Sequence, residues 1–158
     1  MEHPYKIKSA KTTKEFKKAK ALFDEYIEHL RIDHQFVETE NGTDSIQKKY
    51  SKPEGLLLMI YHNNKPVGCG AIKKFSEETA ELKRMYVKFE YQGLGLGKIL
   101  LENLIRNAKE MGYKFILLDT LPAMASAIHL YEDFGFKETK RFNDNPSEDA
   151  RFFKLSLE

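Results

Sequence analysis

The residues with the most chemical content form one short run, Tyr91-Gln92-Gly93-Leu94-Gly95-Leu96-Gly97-Lys98. Three glycines at alternate positions let the chain turn tightly and leave its amides uncrowded by side chains. The apolar spacing beyond the second glycine predicts a helix from Leu96 to Met111, with Leu96, Leu100, Leu104, Ala108 and Met111 on one stripe and Leu101 and Ile105 widening it. The first amides of a helix lack internal partners, and the aligned peptide dipoles place partial positive charge there. A glycine turn entering such a helix suits a phosphate. The first turn carries Lys98 and no Asp or Glu, so the negative charge favoured at this position is left for an external anion to supply.

Spacing narrows the choice of phosphate ligand. A Walker loop needs a glycine where this chain has Gln92 and a Ser or Thr where it has Ile99. The dinucleotide fingerprint Gly-x-Gly-x-x-Gly fails because the third glycine, Gly97, comes one residue early.

Other reactive side chains are few. Cys69 lies between Gly68 and Gly70 on an apolar run, with no His or basic residue adjoining it. It reads as a small buried hydrophobe more readily than as an acyl carrier. A single cysteine excludes an intrachain disulfide and a multi-cysteine metal site, and the five histidines have no ligand spacing, so no metal is expected.

The elements that must position the glycine run can be read on either side of it. Tyr5 to Ser9 is a short first strand. Thr12 or Thr13 caps a helix from about Lys14 to Leu30, whose inner face is Phe16, Ala19, Leu22, Phe23, Tyr26, Ile27 and Leu30. Asp33 to Thr43 reads as loop and Asp44 to Tyr50 as a short helix. Gly55 to Tyr61 and Val67 to Phe75 form a hairpin about His62-Asn63-Asn64-Lys65, and Thr79 to Val87 adds a third strand. After the Leu96 helix, which Gly112 ends, Phe115 to Thr120 is a continuous apolar strand suited to mid-sheet. A helix from about Ala123 to Phe134 stops at Gly135, and Phe136 to Phe142 and Arg151 to Leu157 close the sheet. This order predicts an α/β fold of three layers, a mixed central sheet flanked by helices, in a single domain over residues 1–158.

The spacing Gln92-x-x-Gly95-x-Gly97 resembles the diphosphate-binding loop of the GNAT superfamily of acetyl-CoA-dependent N-acetyltransferases. Ala80-Glu81-Leu82-Lys83-Arg84-Met85-Tyr86-Val87 is similar to that family's fourth strand, and Ala127 to Phe136 to its late helix with a Leu-Tyr…Gly-Phe signature. The resemblance covers about residues 55 to 157 well and the N-terminal third loosely. Two positions depart from it. Phe89 stands where the loop often carries Pro, and Met124 where many members carry a cofactor-contacting Asn.

The resemblance implies acetyl-CoA as acyl donor and a primary amine as acceptor, joined by direct attack in a ternary complex. It implies that Gln92, Gly93, Leu94, Gly95, Leu96, Gly97 and Lys98 hold the diphosphate through backbone amides, and that Met85, Tyr86 and Val87 pair with the pantetheine arm. Tyr131 matches the general acid and Glu81 a strand position where some members carry a general base. The other reading of both is structural: a packed tyrosine and a surface glutamate. The acceptor groove would run along Tyr26 to Tyr50 and Phe142 to Asp149, where Asp144, Glu148 and Asp149 either attract a cationic amine or form a solvated acidic loop.

Composition, 41% hydrophobic and 32% charged, reads as globular. The 26 basic and 24 acidic residues leave a formal charge of +2, too balanced for a nucleic-acid binder. The longest apolar stretch, Leu56 to Tyr61, is far short of the roughly 20 residues that span a bilayer, and the N-terminus shows no signal peptide, so a cytoplasmic monomer or homodimer without membrane partner is expected. Two alternatives remain open: a non-catalytic acyl-CoA-binding or sensing module, and a nucleotide-binding protein, against which the failed motif counts argue.

Overall fold

The computed structural model describes residues 4–30 and 43–158. The chain runs β1 (Tyr5–Ser9), α1 (Thr13–Leu30), α2 (Thr43–Lys49), β2 (Leu56–His62), β3 (Lys65–Lys74), β4 (Thr79–Val87), a 3-10 turn (Phe89–Tyr91), α3 (Leu96–Glu110), β5 (Phe115–Thr120), α4 (Ala125–Asp133), β6 (Lys137–Thr139) and β7 (Arg151–Ser156). The expected loop from Asp33 lies outside the described residues as far as position 42, and Thr43 opens α2.

Local chemistry explains the boundaries. Thr12 and Glu15 form a reciprocal cap at α1: the Glu15 N–H donates to Thr12 Oγ1 at 3.2 Å, and the Thr12 N–H donates to Glu15 Oε1 at 3.0 Å. Those backbone donors hold the Glu15 carboxyl below its ordinary range. The hairpin between β2 and β3 turns on Asn63 and Asn64, both at positive φ, as a two-residue turn of matching twist requires. β6 is shorter than expected, because only Lys137 to Thr139 pair with β7. Phe142 instead leaves the ladder to stack edge-on against Phe75 and Phe152.

The strands form one mixed sheet in the order β1-β2-β3-β4-β5-β7-β6. Alternation along β2 feeds two cores. Leu56, Leu58 and Ile60 pack with Leu100, Leu104 and Phe153, while Leu57 and Met59 pack with Phe16, Leu22 and Ile46 of α1 and α2. Both faces of the sheet are therefore covered, giving the three layers expected. Leu104 is fully buried in the first core. Its truncation, Leu104→Ala, is expected to destabilise the fold by about 3 kcal/mol through lost burial and the cavity left behind, read as a lower denaturation midpoint.

Two irregularities interrupt the sheet at β4. Between the pairs Ala71↔Lys83 and Cys69↔Tyr86, Arg84 and Met85 of β4 oppose Gly70 alone, and Arg84 takes φ 57° at this bulge. A Cβ on Gly70 would come within 2.6 Å of Met85 Sδ and 2.8 Å of Leu104 Cδ1, so a larger residue there would displace those side chains. Second, β4 and β5 pair in parallel only from Thr79 to Glu81 against Phe115 to Leu117. Beyond that point β5 pairs with β7 alone, and β4 with β3 alone. The two strands part, and among the described residues no strand pairs with the β5-facing edge of β4 at Met85, Tyr86 and Val87.

Candidate functional site

Three parts of the fold converge on this parting of the strands. The first is the glycine turn. Gly95 caps α3 at φ 82° with no side-chain cap, and the first turn has no acidic residue. Gly93 is also at positive φ, and a side chain at either position would point into open space. The amides at the head of α3 are thus left without the side-chain partner that usually satisfies them. Gln92 is exposed beside the turn. Its Nε2 donates to the Val87 carbonyl at 2.9 Å and ties the turn to the end of β4. On the other flank, a Cβ on Gly97 would lie 3.5 Å from Leu130 of α4, so the head of α3 abuts the helix that carries Tyr131.

The second part is the free edge of β4. Met85 is half-buried and lines a cavity of about 470 Å³ opened by the diverging strands. Tyr86 is buried, its ring 4.9 Å from that of Tyr26 on α1. Of the expected loop residues, Leu96 sends its side chain into the core while Leu94 and Lys98 are exposed, so only their backbone is common to one anion site.

The third part is the cavity wall. Its aromatic side is Phe23, Tyr26, Tyr50 and Tyr131, and its polar side is Lys83, Arg84, Asp119, Asn143, Asp144 and Asn145. Tyr131 is 6% exposed and packs edge-on against Phe136. Burial first, and the Asp119 carboxylate second, push its hydroxyl well above the ordinary phenol range. It is a proton-bearing group at every working pH. Arg84 is buried, with its guanidinium carbon 3.8 Å from the Phe23 ring centroid.

Glu81 does not line this cavity. Its carboxylate lies behind the wall, 3.2 Å from Lys83 Nζ and 3.9 Å from Lys73 Nζ. Burial raises its pKa, the two lysines oppose that rise, and the nearby Asp119 adds to it. Two carboxylates stand on the cavity wall, Asp144 of the β6–β7 loop and Asp119 of β5, and sequence reasoning misses the second. Asp119 Oδ2 accepts from Asn145 Nδ2 at 2.8 Å and from Asn143 Nδ2 at 3.2 Å. The one available signal is a lone acidic residue inside the otherwise apolar run Phe115 to Thr120. Of the three acidic loop residues, Asp144 lines the cavity, and Glu148 and Asp149 are exposed and are not part of its wall.

Met124, at the Asn position of the resemblance, caps α4 without a side-chain cap bond. Its sulfur instead accepts from the Tyr26 hydroxyl at 3.2 Å and the Thr120 hydroxyl at 3.3 Å, bridging α1, β5 and α4. Cys69 is buried and donates to the Arg84 carbonyl at 3.2 Å, and burial pushes its thiol up to about 12. That environment keeps it protonated and removes it as a nucleophile. His129 is exposed on α4. Among the described residues, no group of three His, Cys, Asp or Glu side chains could hold a metal ion, and no helix is long and apolar enough to cross a membrane.

Comparison with known proteins bears on this geometry directly. The family model for the acetyltransferase (GNAT) family matches residues 19–136. An uncharacterised N-acetyltransferase of Schizosaccharomyces pombe is 30% identical over 96% of this chain and 94% of its own length. A GNAT-family acetyltransferase structure from Staphylococcus aureus Mu50 superposes with a TM-score of 0.82 at 22% identity, covering 98% of this chain and 99% of that one. The PaiA N-acetyltransferase of Thermoplasma acidophilum, solved in complex with coenzyme A, superposes with a TM-score of 0.76 at 16% identity over 96% of this chain and 99% of the other. The glycine turn, the parted strands and the matched sequence span lead to one conclusion: this chain belongs to the GNAT family of acetyltransferases.

Proposed function

We propose that the chain transfers an acetyl group from acetyl-CoA to a primary amine by direct attack in a ternary complex, with residues 1–158 acting as one N-acetyltransferase domain. One observation carries the reading. The parting of β4 from β5 connects an anion-ready helix terminus, through an unpaired strand edge, to a cavity holding a carboxylate and a buried phenol.

The residues fit the donor. Backbone amides from Gly93 to Lys98 take its diphosphate, because glycine conformations keep them uncrowded and the helix dipole favours the charge. The β5-facing edge at Met85, Tyr86 and Val87 offers its backbone groups to the amide-bearing pantetheine arm, apart from the Val87 carbonyl, which Gln92 already holds. A main-chain N–H at that edge polarises the acyl oxygen. When bound, acetyl-CoA supplies the acetyl group in activated thioester form.

The cavity handles the acceptor. A free alkylammonium has a pKa of about 10.4 and must lose a proton before it can attack. Asp119 meets the ammonium and takes that proton, a role that the family resemblance assigns to Glu81. Glu81, compensated by Lys73 and Lys83, stands behind it. Tyr131 delivers its hydroxyl proton to the departing sulfur, a transfer made uphill by the burial that raises its pKa and completed when the proton taken from the amine returns to the phenolate. The buried thiol of Cys69 takes no part, and a single reduced cysteine fits a cytoplasmic setting.

The test is an acetyl-CoA-dependent thiol-release screen against amines, amino acids and peptides. Turnover with at least one primary amine is expected. Tyr131→Phe is expected to lower kcat about 100-fold while leaving the calorimetric Kd for acetyl-CoA unchanged. Tight acetyl-CoA binding with no thiol release across the panel would make the chain a binding module instead.

A further inference from the structure

The loop between β6 and β7 is built from internal hydrogen bonds. Arg141 lies over the Phe152 ring at 4.9 Å and donates from Nη1 to the Asn145 carbonyl at 2.8 Å and from Nη2 to the Ser147 carbonyl at 2.9 Å. Asn143 Oδ1 accepts the Asn145 N–H at 3.0 Å, and Asn145 Oδ1 accepts the Ser147 N–H at 2.9 Å. Each asparagine thus spends its acceptor on a turn within the loop. That choice fixes the amide orientation, since an acceptor facing a backbone N–H must be oxygen. The NH2 of each is then the end that faces the sheet.

Both NH2 groups converge on one atom, Asp119 Oδ2, at 3.2 Å from Asn143 and 2.8 Å from Asn145. Asn143 Nδ2 also lies 3.5 Å from Glu81 Oε2, spanning the two carboxylates. A carboxylate held by two donors on one oxygen cannot rotate freely, and its second oxygen has a set direction. Asp119, Asn143 and Asn145 all line the cavity.

We infer that Asn143 and Asn145 are positioning residues that aim Asp119, holding Oδ2 so that Oδ1 meets the amine of the acceptor. The inference rests on the role given to Asp119 above. It assigns the β6–β7 loop to the alignment of the proton acceptor, so the geometry of the chemical step depends on a loop 24 to 26 residues further along the chain. Misalignment of a reacting group by about 1 Å costs on the order of 100-fold in rate.

Asn145→Asp separates positioning from folding. The new side chain keeps an oxygen to accept the Ser147 N–H, so the turn survives, but it replaces the donor to Asp119 with a second carboxylate. At saturating acetyl-CoA, with an amine identified by the thiol-release screen, kcat is expected to fall about 10- to 100-fold. The acceptor KM should be unchanged or lower, because the added charge attracts the cation. The acetyl-CoA Kd should match that of the unmodified protein, and the denaturation midpoint should fall at neutral pH, where the two carboxylates repel, and recover in acid. Asn143→Asp, designed on the same principle, is expected to behave in the same way. Asp119→Asn is measured alongside. If it is impaired while both loop variants keep kcat within twofold, the positioning role is refuted. A drop in acetyl-CoA affinity that parallels the drop in kcat would assign the asparagines to the fold and also overturn it. If Asp119→Asn is fully active, the underlying reading of Asp119 fails first.

Discussion

Gly97→Glu is expected to abolish acetyl-CoA binding while leaving the protein folded. Gly97 lies in the first turn of α3 and, unlike Gly95, is not at positive φ. A side chain there starts 3.5 Å from Leu130 Cδ2, an ordinary contact. Replacing glycine within a helix gains up to about 1 kcal/mol of propensity, and a carboxylate in the first turn is favoured by the helix dipole. Stability should therefore hold or rise. The same carboxylate stands among the amides proposed to take the diphosphate, where it satisfies them and repels the ligand. An affinity loss of about 100-fold or more, equivalent to about 2.7 kcal/mol, is expected by calorimetry. Gly95→Glu would test the same site less cleanly, because its backbone at φ 82° adds strain. An unchanged Kd in folded Gly97→Glu protein would remove the diphosphate from this turn.

Asp119→Asn has the second large expected effect, a fall in kcat/KM of about 1000-fold for the acceptor with acetyl-CoA affinity preserved. The substitution is isosteric, and the amide oxygen can still accept from Asn143 and Asn145, so the loop keeps its anchor. What disappears is the charge that attracts the ammonium and the basicity that removes its proton. Glu81→Gln provides the contrast. Its carboxylate is 8% exposed, balanced by Lys73 and Lys83 and absent from the cavity wall, so a change of less than about tenfold is expected. Steady-state kinetics on both variants assigns the proton acceptor. A larger effect at Glu81 than at Asp119 would return the role to the residue the family pattern indicated.

The contrast shows what a linear sequence can and cannot disclose. β1, β4 and β5 are readable to the residue, because alternation or a largely apolar run marks a strand. The glycine turn is readable because its chemistry is local: the amides, the cap and the missing acid all fall within a few positions. Asp119 is not, because a lone acid near the end of an apolar strand carries no sign of its partners. Its importance comes from the parting of β4 and β5 and from two asparagines brought in from another loop. Glu81 looks exposed on a half-buried strand, whereas the fold covers it and supplies lysines from β3 and β4. The length of β6 is overestimated for a related reason. Phe142 has strand-like character, but it gains more from stacking with Phe75 and Phe152 than from extending the ladder.

The short ladder between β4 and β5 also has a mechanical meaning. Three registered pairs join these strands, against six at each of the adjoining junctions, β3 with β4 and β5 with β7. Load drawn across the middle of the sheet would concentrate on that line, and the four-strand and three-strand portions would part there before β3 left β4 or β5 left β7. A molecule lying along the bare margin of β4 would splice the two portions together, so occupancy should stiffen the whole protein along the direction in which it is most easily torn.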